Sequence, residues 1–286
     1  LVAHYTLDTL NIIDEIGNTT LNDFESNRPE QTTGKIGGAI KFQEDTHIAI
    51  NASQEFNEAP ISIGCWVKPT ADPTGSSYDN KGMLGKWGGN NQWILWTETD
   101  GSFNPTVSVV DDQSNRANLQ GPTPTQGEWT HYLFTYKSDG TLRLYVDGSF
   151  EQEDTSTLNG TINSGTNDFA IGSYAADADG SNSGNDFNIQ ADIDDVKVWN
   201  REITENEASQ IVIRGNRAST NDLYKGLVGH WTLSSLDAKD STAYDRDGTL
   251  QGNPQIVSGQ VGNAMEFNRS NSEQVQTSTP AVDTFS

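Results

Sequence analysis

From Gly127 to Gly148 the chain reads GEWTHYLFTYKSDGTLRLYVDG, and its side chains fall into two interleaved sets. Trp129, His131, Leu133 and Thr135 alternate with Thr130, Tyr132, Phe134 and Tyr136. Ser138-Asp139-Gly140 follows as a turn, with a glycine able to take the positive φ of a tight corner. Leu142, Leu144 and Val146 then alternate with Arg143, Tyr145 and Asp147, and Asp147-Gly148 opens a second corner. A period of two with tight turns predicts three successive antiparallel strands.

The same pattern recurs elsewhere. Strands are predicted at Leu1–Leu7, Gly34–Phe42, Ile61–Val67, Gly82–Trp87, Gln92–Trp96, Thr106–Val110, Phe169–Gly172 and Ala191–Trp199. Gly88-Gly89-Asn90-Asn91 joins the fourth of these to the fifth. Short strands between Gly, Asn, Asp and Ser turns predict an all-β sandwich. One helix is predicted near 204–213, where Thr204 and Glu207 have capping-box spacing and Ala208, Ile211 and Val212 supply an apolar side. Ser219–Lys225 reads as a linker.

The chain also repeats itself. LVAHYTL at Leu1 returns as LVGHWTL at Leu227, and GKIGGAIKF at Gly34 returns as GQVGNAMEF at Gly259. This sets the expected organisation: a sandwich over 1–213, a linker over 214–226, and the opening of a second sandwich over 227–286. A quarter of a sandwich cannot bury its own apolar face. The expectation is therefore that the polypeptide continues beyond Ser286 or that this part pairs with a neighbour, the former being favoured.

LVAHYTL, GKIGGAIKF, ISIGCWVKP, GEWTHYLFTY, LRLYVDG, FAIGS and ADIDDVKVWNREIT, in this order and spacing, resemble the laminin-G-like, concanavalin A-like jelly-roll family. The resemblance spans about 210 residues and recurs over the last 60. It implies an antiparallel jelly-roll β-sandwich. It also implies an extracellular lectin-like or adhesive module of a multidomain surface protein, often with structural calcium. The family does not fix a ligand.

Composition adjusts this picture. The 286 residues include 25 Asp and 15 Glu against 9 Lys and 8 Arg, a net charge of −23. No basic stripe exists to neutralise phosphates, which excludes a nucleic-acid partner. An anionic membrane surface would repel the chain, and no run of 18 apolar residues predicts membrane insertion. The charge suits bound cations or a high-salt habitat, and the Asp excess with few lysines favours the second. Apolar content is 33%, enough for strands with one buried face. Cys65, the single cysteine, lies in an apolar strand and reads as a buried inert thiol, so no intrachain disulfide forms.

Candidate chemistry is sparse. Glycoside hydrolases that resemble this fold carry their carboxyl pair on one strand as Glu-x-Asp-x-Glu, or with one more residue, and no such run occurs. The four histidines lack HxH or HxxxH spacing. No catalytic residue is therefore assigned, and hydrolysis is the minority reading. For calcium, which takes six to eight oxygens, two acidic loops are candidates. One is Asp14 to Asn18, repeated at Asp240–Gly248. The other is Asp177-Ala178-Asp179 through Asn182 to Asp186, with D-x-D-G but without the closing Glu of an EF-hand. The resemblance implies a calcium between the first loop and Asp194, so Asp14, Asn18 and Asp194 form one expected set. Sugar-binding faces present exposed rings with amides nearby. Trp87, Asn90, Asn91, Tyr174 and Asn182 are the candidate ligand contacts, and at least one of Trp93 and Trp96 is expected in the core. Four N-x-S/T acceptors begin at Asn18, Asn51, Asn159 and Asn268, no more than 26 asparagines would give by chance. The expected role is a non-enzymatic surface module. It would bind glycans or surface glycoproteins, or hold a homo-oligomer, filament or virion assembly together.

Overall fold

The computed structural model describes residues 1–10, 12, 14–16, 20–21, 29–43, 46–51, 56–74, 78, 80–88, 91–98, 102–173, 187–220, 229–242, 246–259 and 263–277. Its strands in chain order are β1 (Ala3–Tyr5), β2 (Thr20–Leu21), β3 (Glu30–Thr33), β4 (Gly38–Phe42), β5 (Ile48–Asn51), β6 (Ile61–Pro69), β7 (Gly82–Lys86), β8 (Trp93–Thr97), β9 (Pro105–Val110) and β10 (Arg116–Gln120). They continue as β11 (Thr130–Tyr136), β12 (Leu142–Val146), β13 (Ser149–Asp154), β14 (Phe169–Ile171), β15 (Ala191–Trp199), β16 (Gly248–Gln251), β17 (Gln255–Ser258), β18 (Asn263–Glu266) and β19 (Gln274–Thr277). One α-helix, α1, covers Glu205–Thr220.

Two compact units emerge, Leu1–Val212 and Ile213–Ser286. The first is an antiparallel jelly-roll sandwich. Its first sheet runs β13-β12-β11-β6-β15-β4-β3, with β1 also paired to β15, and its second runs β10-β9-β8-β7-β14-β5-β2. The core lies between them. Ile63, Cys65, Val67, Tyr132, Phe134, Ile193 and Val198 of the first sheet meet Trp93, Leu95, Val107, Val109, Phe169 and Ile171 of the second. Burial pushes the Cys65 thiol up, as a packed, unreactive sulfur requires.

The central strands of the first sheet are buried on both faces. Leu133, Tyr145, Trp199, Ile203, Ala208 and Ile211 form a second, smaller core under α1. The polar side chains beneath it are matched. Ser62 Oγ lies 2.7 Å from Thr135 Oγ1 and accepts from the Ile203 N–H at 3.0 Å. The helix begins as its capping box predicts, with the Thr204 N–H donating to Glu207 Oε2 at 2.9 Å. It runs on to Thr220, beyond the expected end near 213, because no proline interrupts the 205–220 stretch.

The hairpin that organises the sequence is also what seats the helix. Asp147 and Gly148 have φ of 47° and 77°, the two positive values of a type I′ corner. A Cβ on Gly148 would stand 2.7 Å from Ser209 Cα and 2.9 Å from Ala208 O, so α1 rests directly on the glycine backbone.

β15 departs from simple alternation. Its register with β6 shifts between Asp194 and Lys197, and Asp195 takes φ 52°. Asp195 is the extra residue of a bulge. Strict alternation would send Asp194 and Asp195 to opposite faces. The bulge instead joins Asp195 to His4 at 2.6 Å and Lys197 at 2.9 Å, while Val196 returns to the core.

The second unit repeats the opening of the first. β17 pairs with β18 as Gln255↔Glu266 through Ser258↔Asn263, which matches Glu30↔Lys41 through Thr33↔Gly38 with both partners 225 residues later. The Trp231↔Asp240 bridge likewise repeats Tyr5↔Asp14. No helix among the described residues is long and apolar enough to cross a membrane.

Gly148→Ala should lower unfolding free energy by about 2–4 kcal/mol, combining left-handed strain with displacement of α1. Urea unfolding of the full chain measures this, and an unchanged midpoint would show that α1 does not depend on the corner.

Candidate functional site

The second sheet presents the candidate site on its outward face. Along β8, Trp93 and Leu95 enter the core, whereas Ile94 and Trp96 face outward. Trp93 is 0% exposed, and its Nε1–H donates to the Phe56 carbonyl at 2.9 Å. Trp96 is half-buried on the opposite face. On β10, Ala117 and Leu119 pack inward and leave Arg116 and Asn118 exposed. Trp87 follows β7, at the start of the turn leading to β8, and is also half-buried.

These residues converge on Arg116. Its guanidinium carbon lies 4.9 Å from the Trp87 ring centre and 5.4 Å from that of Trp96, within cation–π range of both. Arg116 Nε donates to Asn118 Oδ1 at 2.9 Å, and Nη2 donates to Ser108 Oγ at 3.0 Å. Ser108 Oγ also accepts the Trp96 Nε1–H at 3.0 Å. Burial lowers the Arg116 pKa from its ordinary value, partly offset by the charge of Glu98. The result is a hydrogen-bonded cation close to two partly accessible indoles.

Of the expected ligand contacts, Trp87 belongs to this seat. Asn91 shapes it from behind, because its Oδ1 accepts the Gly88 N–H at 3.2 Å and closes the β7–β8 turn. Asn90, Tyr174 and Asn182 lie outside the described residues. Arg116, Ser108 and Asn118 were not expected. The polar–apolar alternation of Arg116-Ala117-Asn118-Leu119-Gln120 is the signal that would have revealed them.

Of the expected calcium set, Asn18 lies outside the described residues, and Asp14 and Asp194 each accept backbone N–H groups. Asp14 Oδ1 accepts the N–H groups of His4 and Ile16, each at 3.0 Å. Asp240 does the same for His230 at 2.8 Å and Thr242 at 2.9 Å. At both places the acid accepts two backbone N–H groups. Asp194 serves another segment: its Oδ2 accepts the Ile36 N–H at 2.8 Å, and its buried Oδ1 has no hydrogen-bond partner among the described residues. Burial, and then the neighbouring Asp195, raise the Asp194 pKa well above the usual carboxylate range. At Asp195 burial also acts upward, but Lys197 and His4 outweigh it and hold its carboxyl below that range. The cation that these clustered acids require is thus in part a lysine. No group of three or more His, Cys, Asp or Glu side chains among the described residues is arranged to hold a metal. Asn18, Asp177, Asp179 and Asp186 lie outside the described residues.

A second depression, of about 330 Å³, is lined by Arg143, Tyr145, Phe150, Glu153, Glu202, Thr204 and Glu205. Arg143 ties down two of its carboxylates, Glu153 at 3.0 Å and Glu202 at 3.2 Å. They are bound to one guanidinium rather than facing each other across a water, as an acid and base pair would.

Comparison with known proteins agrees with this architecture. A profile of the concanavalin A-like lectin/glucanases superfamily matches residues 42–209. The chain belongs to that superfamily. No curated protein matches it. Among solved structures, domain 4 of AbnA, a GH43 extracellular arabinanase from Geobacillus stearothermophilus in complex with arabinotriose, is similar at TM-score 0.55 and 20% identity, over 73% of this chain and 96% of that one. The binding domain of Paraclostridial Mosquitocidal Protein 1 is similar at TM-score 0.58 and 14% identity, over 91% of this chain and 61% of that one. The receptor-binding domain of botulinum neurotoxin type G follows at TM-score 0.54 and 12% identity, over 93% and 65%. This superfamily member thus spans about three fifths of the two toxin domains, and at these identities the likeness is one of fold.

Two predictions follow from the acid assignments. Asp14→Ala should cost about 1–3 kcal/mol by leaving buried N–H groups unpaired. Asp14→Asn, which keeps an acceptor oxygen, should retain most of that stability; thermal melts with and without calcium would show equal losses from both variants if the acid served a cation. The second concerns His131, whose pKa burial pushes down to about 3, with Asp195 opposing and Lys197 adding to the shift. The folded state keeps this ring neutral, while the unfolded chain protonates it below about 6.5. Its contribution is therefore present above that pH and fades on acidification, by about 1.4 kcal/mol per pH unit. Urea unfolding between about pH 7 and pH 4.5 should show this slope in wild type and a shallower one in His131→Gln, and equal slopes would refute the assignment.

Proposed function

We propose that Leu1–Val212 is a non-catalytic carbohydrate-binding module whose ligand rests on Trp87 and Trp96 beside Arg116. The carrying observation is the pair of half-buried indoles that both lie within cation–π range of one guanidinium. Indole faces take the apolar face of a pyranose, and flanking amides and cations take its hydroxyls. The superfamily match supports this reading, as does a neighbouring structure described in complex with arabinotriose. In this reading the module works extracellularly, on a cell or virion surface, and its charge of −23 suits a salt-adapted source.

The test is titration calorimetry of the full chain against a panel of oligosaccharides, with product analysis of the same mixtures. Trp87→Ala and Trp96→Ala should each weaken binding by about fivefold or more while leaving the melting temperature close to wild type, and no sugar should be cleaved. Binding unaffected by either change would remove this seat, and cleavage would make the protein a hydrolase.

A further inference from the structure

We propose that the seat selects an anionic saccharide, one whose ring lies on an indole while its carboxylate or sulfate oxygens meet Arg116. This rests on the carbohydrate-binding reading above and narrows it.

The first observation is the state of the arginines. Three arginines of Leu1–Val212 are described. Arg143 pairs with Glu153 and Glu202, and Arg201 pairs with Glu207 at 2.9 Å. Arg116 makes no ion pair among the described residues, in a chain where acids outnumber bases by 40 to 17. A carboxylate partner is a common fate of a guanidinium in such a chain. Here two indole rings, an amide oxygen and a hydroxyl hold it instead.

The second observation is what those contacts leave over. A guanidinium has five N–H donors. One on Nε goes to Asn118 and one on Nη2 goes to Ser108, so among the described residues both on Nη1 and the second on Nη2 remain. They belong to a group whose plane is already fixed by stacking and by two hydrogen bonds, so little rotamer freedom is lost when an anion binds. Hydroxyls of a neutral sugar can accept these donors, but anionic oxygens do so more strongly.

Long-range charge does not prevent this. Glu98 is the acid whose charge reaches Arg116, and it forms no ion pair with it among the described residues; at physiological salt the screening length is about 8 Å, so a ligand in contact with the guanidinium senses Arg116 more than the remaining surface acids.

Calorimetry of the full chain would use four probes: a neutral oligosaccharide, an oligogalacturonate, a sulfated oligosaccharide and inorganic sulfate. At least one acidic saccharide should bind about tenfold or more tightly than the neutral one, and inorganic sulfate should bind far more weakly than that acidic sugar. The uronate and sulfate arms identify which anion is read. Arg116→Gln should bring the acidic sugar down to the neutral level without moving the neutral affinity as far, and Arg116→Lys, which keeps charge without the fork, should fall between. Equal wild-type affinities for neutral and acidic sugars, or an acidic preference that survives Arg116→Gln, would overturn the anionic selection and leave the carbohydrate reading standing. No saccharide binding at all, or binding indifferent to Trp87→Ala, would overturn both. Should Arg116→Gln fail to fold, the wild-type ranking and Arg116→Lys still decide.

Discussion

The sandwich of the first unit closes around one buried ion cluster on β15. Asp195 bulges out of register, and its carboxylate joins His4 of the N-terminal strand to Lys197 of its own strand. β15 is the strand through which β6, β4 and β1 are all connected. Removing one member would leave the others as buried, uncompensated charge, which costs several kcal/mol in proteins generally. The neighbouring Asp194 shows how finely this is set. With Asp195 ionised beside it, Asp194 is the carboxyl whose proton affinity rises.

The same two-layer arrangement creates the binding seat. Alternation on β8 sends Trp93 into the core and Trp96 out, and alternation on β10 brings Arg116 beside it. The turn after β7 supplies Trp87, and Asn91 holds that turn. Rigid strands therefore carry two of the three principal contacts, an arrangement that favours precise placement over loop adaptation. The acidic surface makes the exception informative, because Arg116 meets rings where Arg143 and Arg201 meet glutamates.

Much of the fold was legible in local pattern. The hairpins from Thr130 to Asp154, the two-faced β6 and the capping box at Thr204 follow from residue spacing alone. The repeat was legible too, and its strands pair in matching register. What could not be read was non-local. Nothing in Ile193-Asp194-Asp195-Val196 announces a bulge, since the reason for it is His4, 191 residues away. The repeated acid at Asp14 and Asp240 reads as a cation ligand in sequence; that each also accepts backbone N–H groups could not be read there, because every sequence possesses such groups. Arg116 escaped notice because its significance depends on three strands meeting, and no single stretch contains Trp87, Trp96 and Ser108 together with it. Asn159, an N-x-T acceptor by sequence, has its amide already engaged with Asp112 at 2.7 Å and with Thr161.

The central claim, that the ligand seat is the outward indole pair around Arg116, is tested most directly by NMR of the full chain titrated with an acidic oligosaccharide. The indole N–H signals of Trp87 and Trp96 and the Nε–H of Arg116 should shift together and saturate at one ligand concentration, while the indole signals of the core residues Trp93 and Trp66 stay fixed. Shifts centred on Tyr145 and Phe150, with Trp87 and Trp96 unmoved, would contradict the account.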